Sequence, residues 1–156
     1  MIFCYSASQK SKVYADVLSD ILSRPVYMLE CDIDHKRISH VIKSLWLAVT
    51  SKPAAVLNMP SFDNNNDTDE FYICCPVWGG NPAPPIIYFL ENAPVKGKKI
   101  NMLLTAGTAH IKYKFKAEKM IQKYGAEAGC VEIFASDTEP DKDVIESHIR
   151  TLFLKE

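Results

Sequence analysis

The chain has 156 residues, 47% hydrophobic and 24% charged, with a formal net charge of −1. That length suits one compact domain over residues 1–156. The charge argues against general nucleic-acid binding, and no run approaches the ~18 consecutive apolar residues of a membrane span. Five cysteines is an odd number, and Cys4, Cys74 and Cys75 fall in apolar runs, so they read as reduced core thiols of a cytoplasmic protein. The start has no basic segment ahead of a long apolar run, so no secretory leader is expected. The adjacent Cys74 and Cys75 would point to opposite faces of a strand and lack metal-ligand spacing, so no metal is expected.

In chain order, Ile2-Phe3-Cys4-Tyr5 reads as a short strand. A helix opens near Lys10 and carries Val13, Val17, Leu18, Ile21 and Leu22 on one stripe; Pro25 marks its exit. Val26-Tyr27-Met28-Leu29 reads as strand two. Ile38, Val41, Ile42, Leu45, Trp46 and Val49 recur at helical spacing, which predicts a core position for Trp46. Residues 53–59 read as a short extended piece, and the polar run 63–70 as a surface loop at the end of the sheet away from any ligand. Phe71-Tyr72-Ile73-Cys74-Cys75 is strand three. A helix then starts near Pro84 or Pro85 and ends before Pro94. Strand four spans 99–105. Tyr113, Ala117, Met120, Ile121 and Tyr124 make the next helical stripe, with Gly125 as its C-cap. Strand five spans 130–135, and Pro140 opens a last helix with Ile145, Ile149, Leu152 and Phe153.

Strands alternating with helices predict an α/β fold, a parallel sheet covered by helices on both faces. Right-handed crossovers leave few topologies, and five strands favour the order 2-1-3-4-5. The direction of winding then reverses between strands one and three, and ligands bind outside the carboxyl ends there.

Two unusual loops leave those two strands. The first, Ser6-Ala7-Ser8-Gln9-Lys10-Ser11, sets three hydroxyls and a lysine at a helix start, where free N–H groups and the helix dipole favour phosphate. A plain N-cap role for Ser8 or Ser11 is the competing reading. The second, Pro76-Val77-Trp78-Gly79-Gly80-Asn81-Pro82-Ala83-Pro84-Pro85, is a rigid Pro/Gly loop with an indole at its tip, suited to a flat ring system. Burial of Trp78 in the core is the alternative. His110 and the lysines at 112, 114 and 116 follow strand four. The lysines are placed to attract a pyridine-nucleotide phosphate or an acidic partner, with solvated helix charge as the commoner explanation. His35, His40 and His148 receive no role. No Ser-His-Asp or Cys-His arrangement and no paired carboxylates fall in this region, so no catalytic residue is assigned.

The pair of loops resembles the flavodoxin-like family of FMN-binding proteins, on the branch near NAD(P)H quinone reductases. Ser6, Ser8 and Ser11 are similar to that family's phosphate loop, Ser/Thr-x-Ser/Thr-Gly-x-Ser/Thr. Pro76, Val77, Trp78, Gly80, Pro82, Ala83, Pro84 and Pro85, with Phe89 and Leu90 beyond, are similar to its Pro-Val-Trp-x-Gly-x-Pro-Ala-Pro-Pro segment and following Phe-Leu pair. Leu103-Leu104-Thr105-Ala106-Gly107-Thr108 resembles the strand-four loop, often Thr-Ser-Gly-Gly, that flanks the flavin.

The resemblance implies a three-layer flavodoxin-like fold and electron transfer through non-covalently bound FMN. It implies that the hydroxyls of Ser6, Ser8 and Ser11 and the N–H groups of Gln9 and Lys10 hold the phosphate. It implies that Trp78 stacks on the ring, in a site completed by Pro76, Val77, Gly79, Gly80, Thr105, Ala106 and Gly107. A redox partner protein or a pyridine nucleotide would complete the circuit. An NAD(P)H-dependent flavin or quinone reductase, and a module that has lost FMN, are the alternatives. No membrane or nucleic-acid partner is expected, and a homodimer stays open. The chain departs from the pattern at Gln9, where the phosphate loop has Gly, and at Ala106 and Thr108. The nearest aromatic after the third loop is Tyr113.

Overall fold

The computed structural model describes residues 1–32, 38–62, 68–135 and 141–154. His35, Pro140 and most of the polar run at 63–70 (63–67) lie outside them. The elements are β1 (Ile2–Cys4), α1 (Lys10–Leu22), β2 (Val26–Met28), α2 (Ile38–Val49), β3 (Glu70–Trp78), β4 (Asn81–Pro82), α3 (Pro84–Asn92), β5 (Lys99–Ala106), α4 (Ile111–Lys123), β6 (Glu127–Ala135) and α5 (Lys142–Phe153). The sheet runs β2-β1-β3-β5-β6, all parallel, which is the expected order of five strands. The two-residue β4 pairs antiparallel with the end of β3 and lies off that path.

Both faces of the sheet are covered, as a parallel sheet requires. Phe3, Ile73, Cys75, Met102 and Leu104 pack on one face with Ile86, Phe89, Leu90 and Ile121 of α3 and α4. Ile2, Cys4, Cys74 and Leu103 pack on the other with Tyr14, Leu18, Ile145 and Ile149 of α1 and α5. Cys74 and Cys75 therefore point to opposite faces, as strand alternation dictates. None of the five cysteines forms a disulfide among the described residues. Burial pushes Cys4 up to about 12 and raises Cys74 and Cys75 well above the ordinary thiol range, so these three are packing groups rather than nucleophiles.

Helix ends follow local chemistry. Asp141 caps α5, its carboxylate accepting from the Asp143 N–H at 2.9 Å. After α4, Gly125 takes φ 77°, and the N–H groups of Gly125 and Ala126 return to Gln122 and Ile121 in a Schellman closure. Pro84 opens α3, with its free N-terminal position tolerant of proline.

Two sequence expectations change. The segment after Cys75 is not a free loop: β3 runs on through Trp78. Gly79 and Gly80, at φ 56° and 80°, then turn the chain back so that Val77 pairs with Pro82 and Trp78 with Asn81. Positive φ at both central residues is what a tight type I′ hairpin requires. Trp46 is not in the core either; it is 53% exposed, alongside exposed Ile42, Leu45 and Val49. The reason is which side of α2 is covered. The helix lies against α3 and the β3–β4 hairpin, burying small Ser44 and Ala48. Asn81 donates from Nδ2 to the Ala48 carbonyl at 2.9 Å, drawing the helix backbone close. Periodicity identified the apolar stripe but not the side that docks. Lys52 places its ammonium 4.5 Å from the exposed Trp46 ring.

Candidate functional site

The carboxyl ends of β1, β3 and β5 converge on two adjoining clefts. One, of about 560 Å³, is lined by Ala7 and Ser8 of the first loop, Ser44 and Leu45 of α2, and Val77, Trp78 and Gly79 of the hairpin. The other, of about 460 Å³, is lined by Ser8, Lys10, Pro76, Val77, Thr105, Ala106 and Gly107. Ser8 and Val77 belong to both, so the clefts meet at the first loop and the end of β3. Each is of the size that takes a cofactor-class ligand. Among the described lining residues Lys10 is the one that carries a charge.

The first loop is built differently from a simple capped helix start. The N-cap of α1 is Gln9, in the left-handed region at φ 63°, and its side chain makes no capping bond. Neither Ser8 nor Ser11 caps the helix. Ser8 is exposed and lines both clefts. Ser11 is buried at 1% exposure, its Oγ 2.7 Å from Thr105 Oγ1. It ties α1 to β5 and does not line either cleft. The Ser6 hydroxyl is buried with no hydrogen-bond partner among the described residues. A buried hydroxyl without a partner costs stability unless something satisfies it.

Trp78 is half-buried and stands edge-on to Tyr5, with ring centroids 5.6 Å apart and planes at 81°. Tyr5, at the end of β1, is 5% exposed. Its hydroxyl accepts from the Cys31 thiol at 3.4 Å. Burial, with that bond, raises its pKa. The indole is thus braced by the core on one side while it lines the cleft.

Nine of the thirteen residues singled out in the sequence line the clefts: Ser8, Lys10, Pro76, Val77, Trp78, Gly79, Thr105, Ala106 and Gly107. Ser6 contributes a buried hydroxyl and Gln9 the turn into α1. Gly80 faces away: a Cβ there would meet Lys116 Nζ at 3.2 Å and the Tyr113 ring at 3.5 Å. His110 caps α4, its Nδ1 accepting from the Lys112 N–H at 3.3 Å, and does not line the clefts. Sequence reasoning missed Ala7, Ser44 and Leu45. A serine inside the apolar stripe of α2 was the one available signal for that wall.

A five-stranded parallel sheet in this order, with its clefts at the reversal of winding, is a flavodoxin-like fold. No protein-family model matches the chain, and no curated protein matches its sequence. Solved structures do. A candidate flavoprotein from Bacteroides uniformis shares 18% identity with a TM-score of 0.74, covering 96% of this chain and 96% of that one. A flavoprotein from Lactobacillus acidophilus, in complex with FMN, shares 21% identity with a TM-score of 0.66, covering 87% of this chain and 93% of that one. The two-electron reduced flavodoxin of Megasphaera elsdenii shares 16% identity with a TM-score of 0.52, covering 94% of this chain and 97% of that one. At these identities the likeness is one of fold. Among the described residues no helix is long and apolar enough to cross a membrane.

Proposed function

We propose that residues 1–156 form one FMN-binding unit that transfers electrons through the non-covalently bound flavin. The observation that carries this reading is that Ser8 and Trp78 line one cleft, joined through Ser8 and Val77 to a second that holds Lys10 and Gly107. The partnerless Ser6 hydroxyl fits an acceptor-rich phosphate placed in the loop. On this reading Ser6, Ser8 and the N–H groups of Gln9 and Lys10 hold the phosphate, with Lys10 supplying opposite charge. On this reading Trp78, braced by Tyr5, stacks on the ring from the cleft wall that it lines. On the same reading the N–H groups of Gly79 and Gly107, which line the clefts, would serve as donors to the polar edge of the ring. Ser11 acts at one remove, through Thr105. Bound FMN supplies a ring that takes up and gives back one or two electrons; the chain binds it, shields it and tunes it. Cysteines without disulfides among the described residues support a cytoplasmic setting.

Titration of the purified chain with FMN tests the reading. Saturable binding with flavin absorbance is expected, and no binding would end it. Oxidation of NAD(P)H in the presence of added quinone would move the assignment to an NAD(P)H-dependent flavin or quinone reductase. One observation favours the module that has lost FMN: Gln9 holds the left-handed conformation that glycine adopts at no cost. A colourless protein that stays so after FMN is added is the outcome that reading requires.

A further inference from the structure

The Gly79–Gly80 turn separates the clefts from a third concavity. Gly79 lines the first cleft, whereas Asn81 lines a groove of about 210 Å³ together with Ser51, Tyr124 and three lysines, Lys116, Lys119 and Lys123. These lysines sit at i, i+3 and i+7 of α4, so they rise along one face of the helix. Among the described residues no carboxylate lines the groove.

Several lysines elsewhere in the chain are paired with carboxylates. Lys12, Lys98, Lys99 and Lys114 each reach a carboxylate, at 2.6, 3.1, 3.3 and 4.0 Å. Among the described residues Lys116, Lys119 and Lys123 reach none; Lys123 lies 5.1 Å from the centre of the Tyr124 ring instead. The one carboxylate bonded to a groove residue is Glu91, which accepts from the Tyr124 hydroxyl at 3.0 Å. Like charges three and four residues apart on a helix repel, and a bound anion removes that cost. Three lysines lining a concavity of this size, together with Ile87 and Met120, bring positive charge to a compact space that suits a small polyanion better than a flat protein surface does. Gly80 lies beside the Lys116 ammonium, where a Cβ would meet Nζ at 3.2 Å.

We propose that this groove binds a phosphate-bearing anion of about pyrophosphate size through Lys116, Lys119 and Lys123. The anion comes either free or as the phosphate portion of a nucleotide. The site is distinct from the FMN clefts and does not depend on the flavin reading.

The test is titration of the full chain with inorganic pyrophosphate, followed by backbone amide NMR. NADPH and NADH titrations run in parallel. Saturable shifts are expected on α4 and at Asn81. The exposed pair Lys119→Gln/Lys123→Gln should weaken pyrophosphate about tenfold or more. Lys12→Gln/Lys98→Gln, which removes the same charge elsewhere, should leave it unchanged. NADPH binding more tightly than NADH, in competition with pyrophosphate, would name a nucleotide 2′-phosphate as the source. Pyrophosphate binding that neither nucleotide disturbs would name the free anion. Lack of saturation, or equal weakening by both double variants, overturns the proposal. So does displacement of pyrophosphate by FMN, which would place the anion at Ser6 and Ser8. A chain that binds pyrophosphate at α4 but not FMN keeps this proposal and loses the flavin one.

Discussion

Ser11 and Thr105, 94 residues apart in sequence, share a buried hydroxyl–hydroxyl hydrogen bond of 2.7 Å. It joins the first turn of α1 to the end of β5, where Thr105 lines a cleft. Removing one partner leaves the other buried and unsatisfied, at a cost of about 1–3 kcal/mol. Ser11→Ala should therefore lower stability by that amount in urea unfolding. Ser11→Ala combined with Thr105→Val should cost clearly less than the two single losses added. Strict additivity would show that the two hydroxyls are not coupled.

Gln9 holds φ 63° at the entry to α1 without a capping bond in return. An L-residue in this conformation costs about 1–2 kcal/mol, which glycine avoids, while glycine loses more chain entropy on folding. The balance predicts that Gln9→Gly raises the unfolding free energy by about 0.5–1 kcal/mol. The same change should tighten FMN, because the loop then reaches its shape without strain. Weaker FMN binding by Gln9→Gly would mean that the glutamine contributes to the site.

Trp78 lines the cleft and stands edge-on to the Tyr5 ring. Trp78→Ala should weaken FMN by about 1–3 kcal/mol if the indole stacks on it. It should also lower stability, since Tyr5 loses its edge-on partner. Trp78→Phe keeps an aromatic plane and should recover most of both. An unchanged dissociation constant for Trp78→Ala, measured by fluorescence titration, would remove the indole from the site.

Glu70 sits at the far, amino end of the sheet and should contribute to acid sensitivity. Burial works to raise its pKa, but hydrogen bonds from Tyr72 at 2.8 Å and Asn101 at 2.7 Å, with the Lys99 ammonium at 3.3 Å, outweigh it. The net effect holds the carboxyl below its ordinary 4.5. A carboxyl whose pKa is lower folded than unfolded contributes stability above the unfolded value, and that contribution fades as pH falls through the folded value. Wild type should thus lose stability below pH 4.5, and Glu70→Gln should flatten that limb. Parallel urea midpoints for the two proteins across the acid range would refute the assignment.

Much of this was legible in the chain itself. Alternating strand and helix periodicity, Pro84 at a helix start and Gly125 at a helix end are local signals, and the structure keeps them because each acts within a few residues. The parallel order followed from connection rules that apply to any such alternation. The two loops were visible because serine, proline, glycine and tryptophan are conspicuous where strands end.

Contacts between distant segments were not legible. Ser11 turned to Thr105 because packing α1 on the sheet brings β5 beneath it, a pairing that no local pattern encodes. Trp46 faces outward and Ser44 inward because α2 docks by its small-residue side on the hairpin, and a periodic stripe does not say which neighbour arrives. The groove at Lys116, Lys119 and Lys123 is lined as well by Ser51, Asn81 and Ile87, which come from distant parts of the sequence. The chain alone determined its elements, their order and the end of the sheet where a ligand belongs, through short-range sterics and side-chain period. The folded state alone decided which side chains line that ligand space, because that depends on which surfaces pack together across long sequence separations.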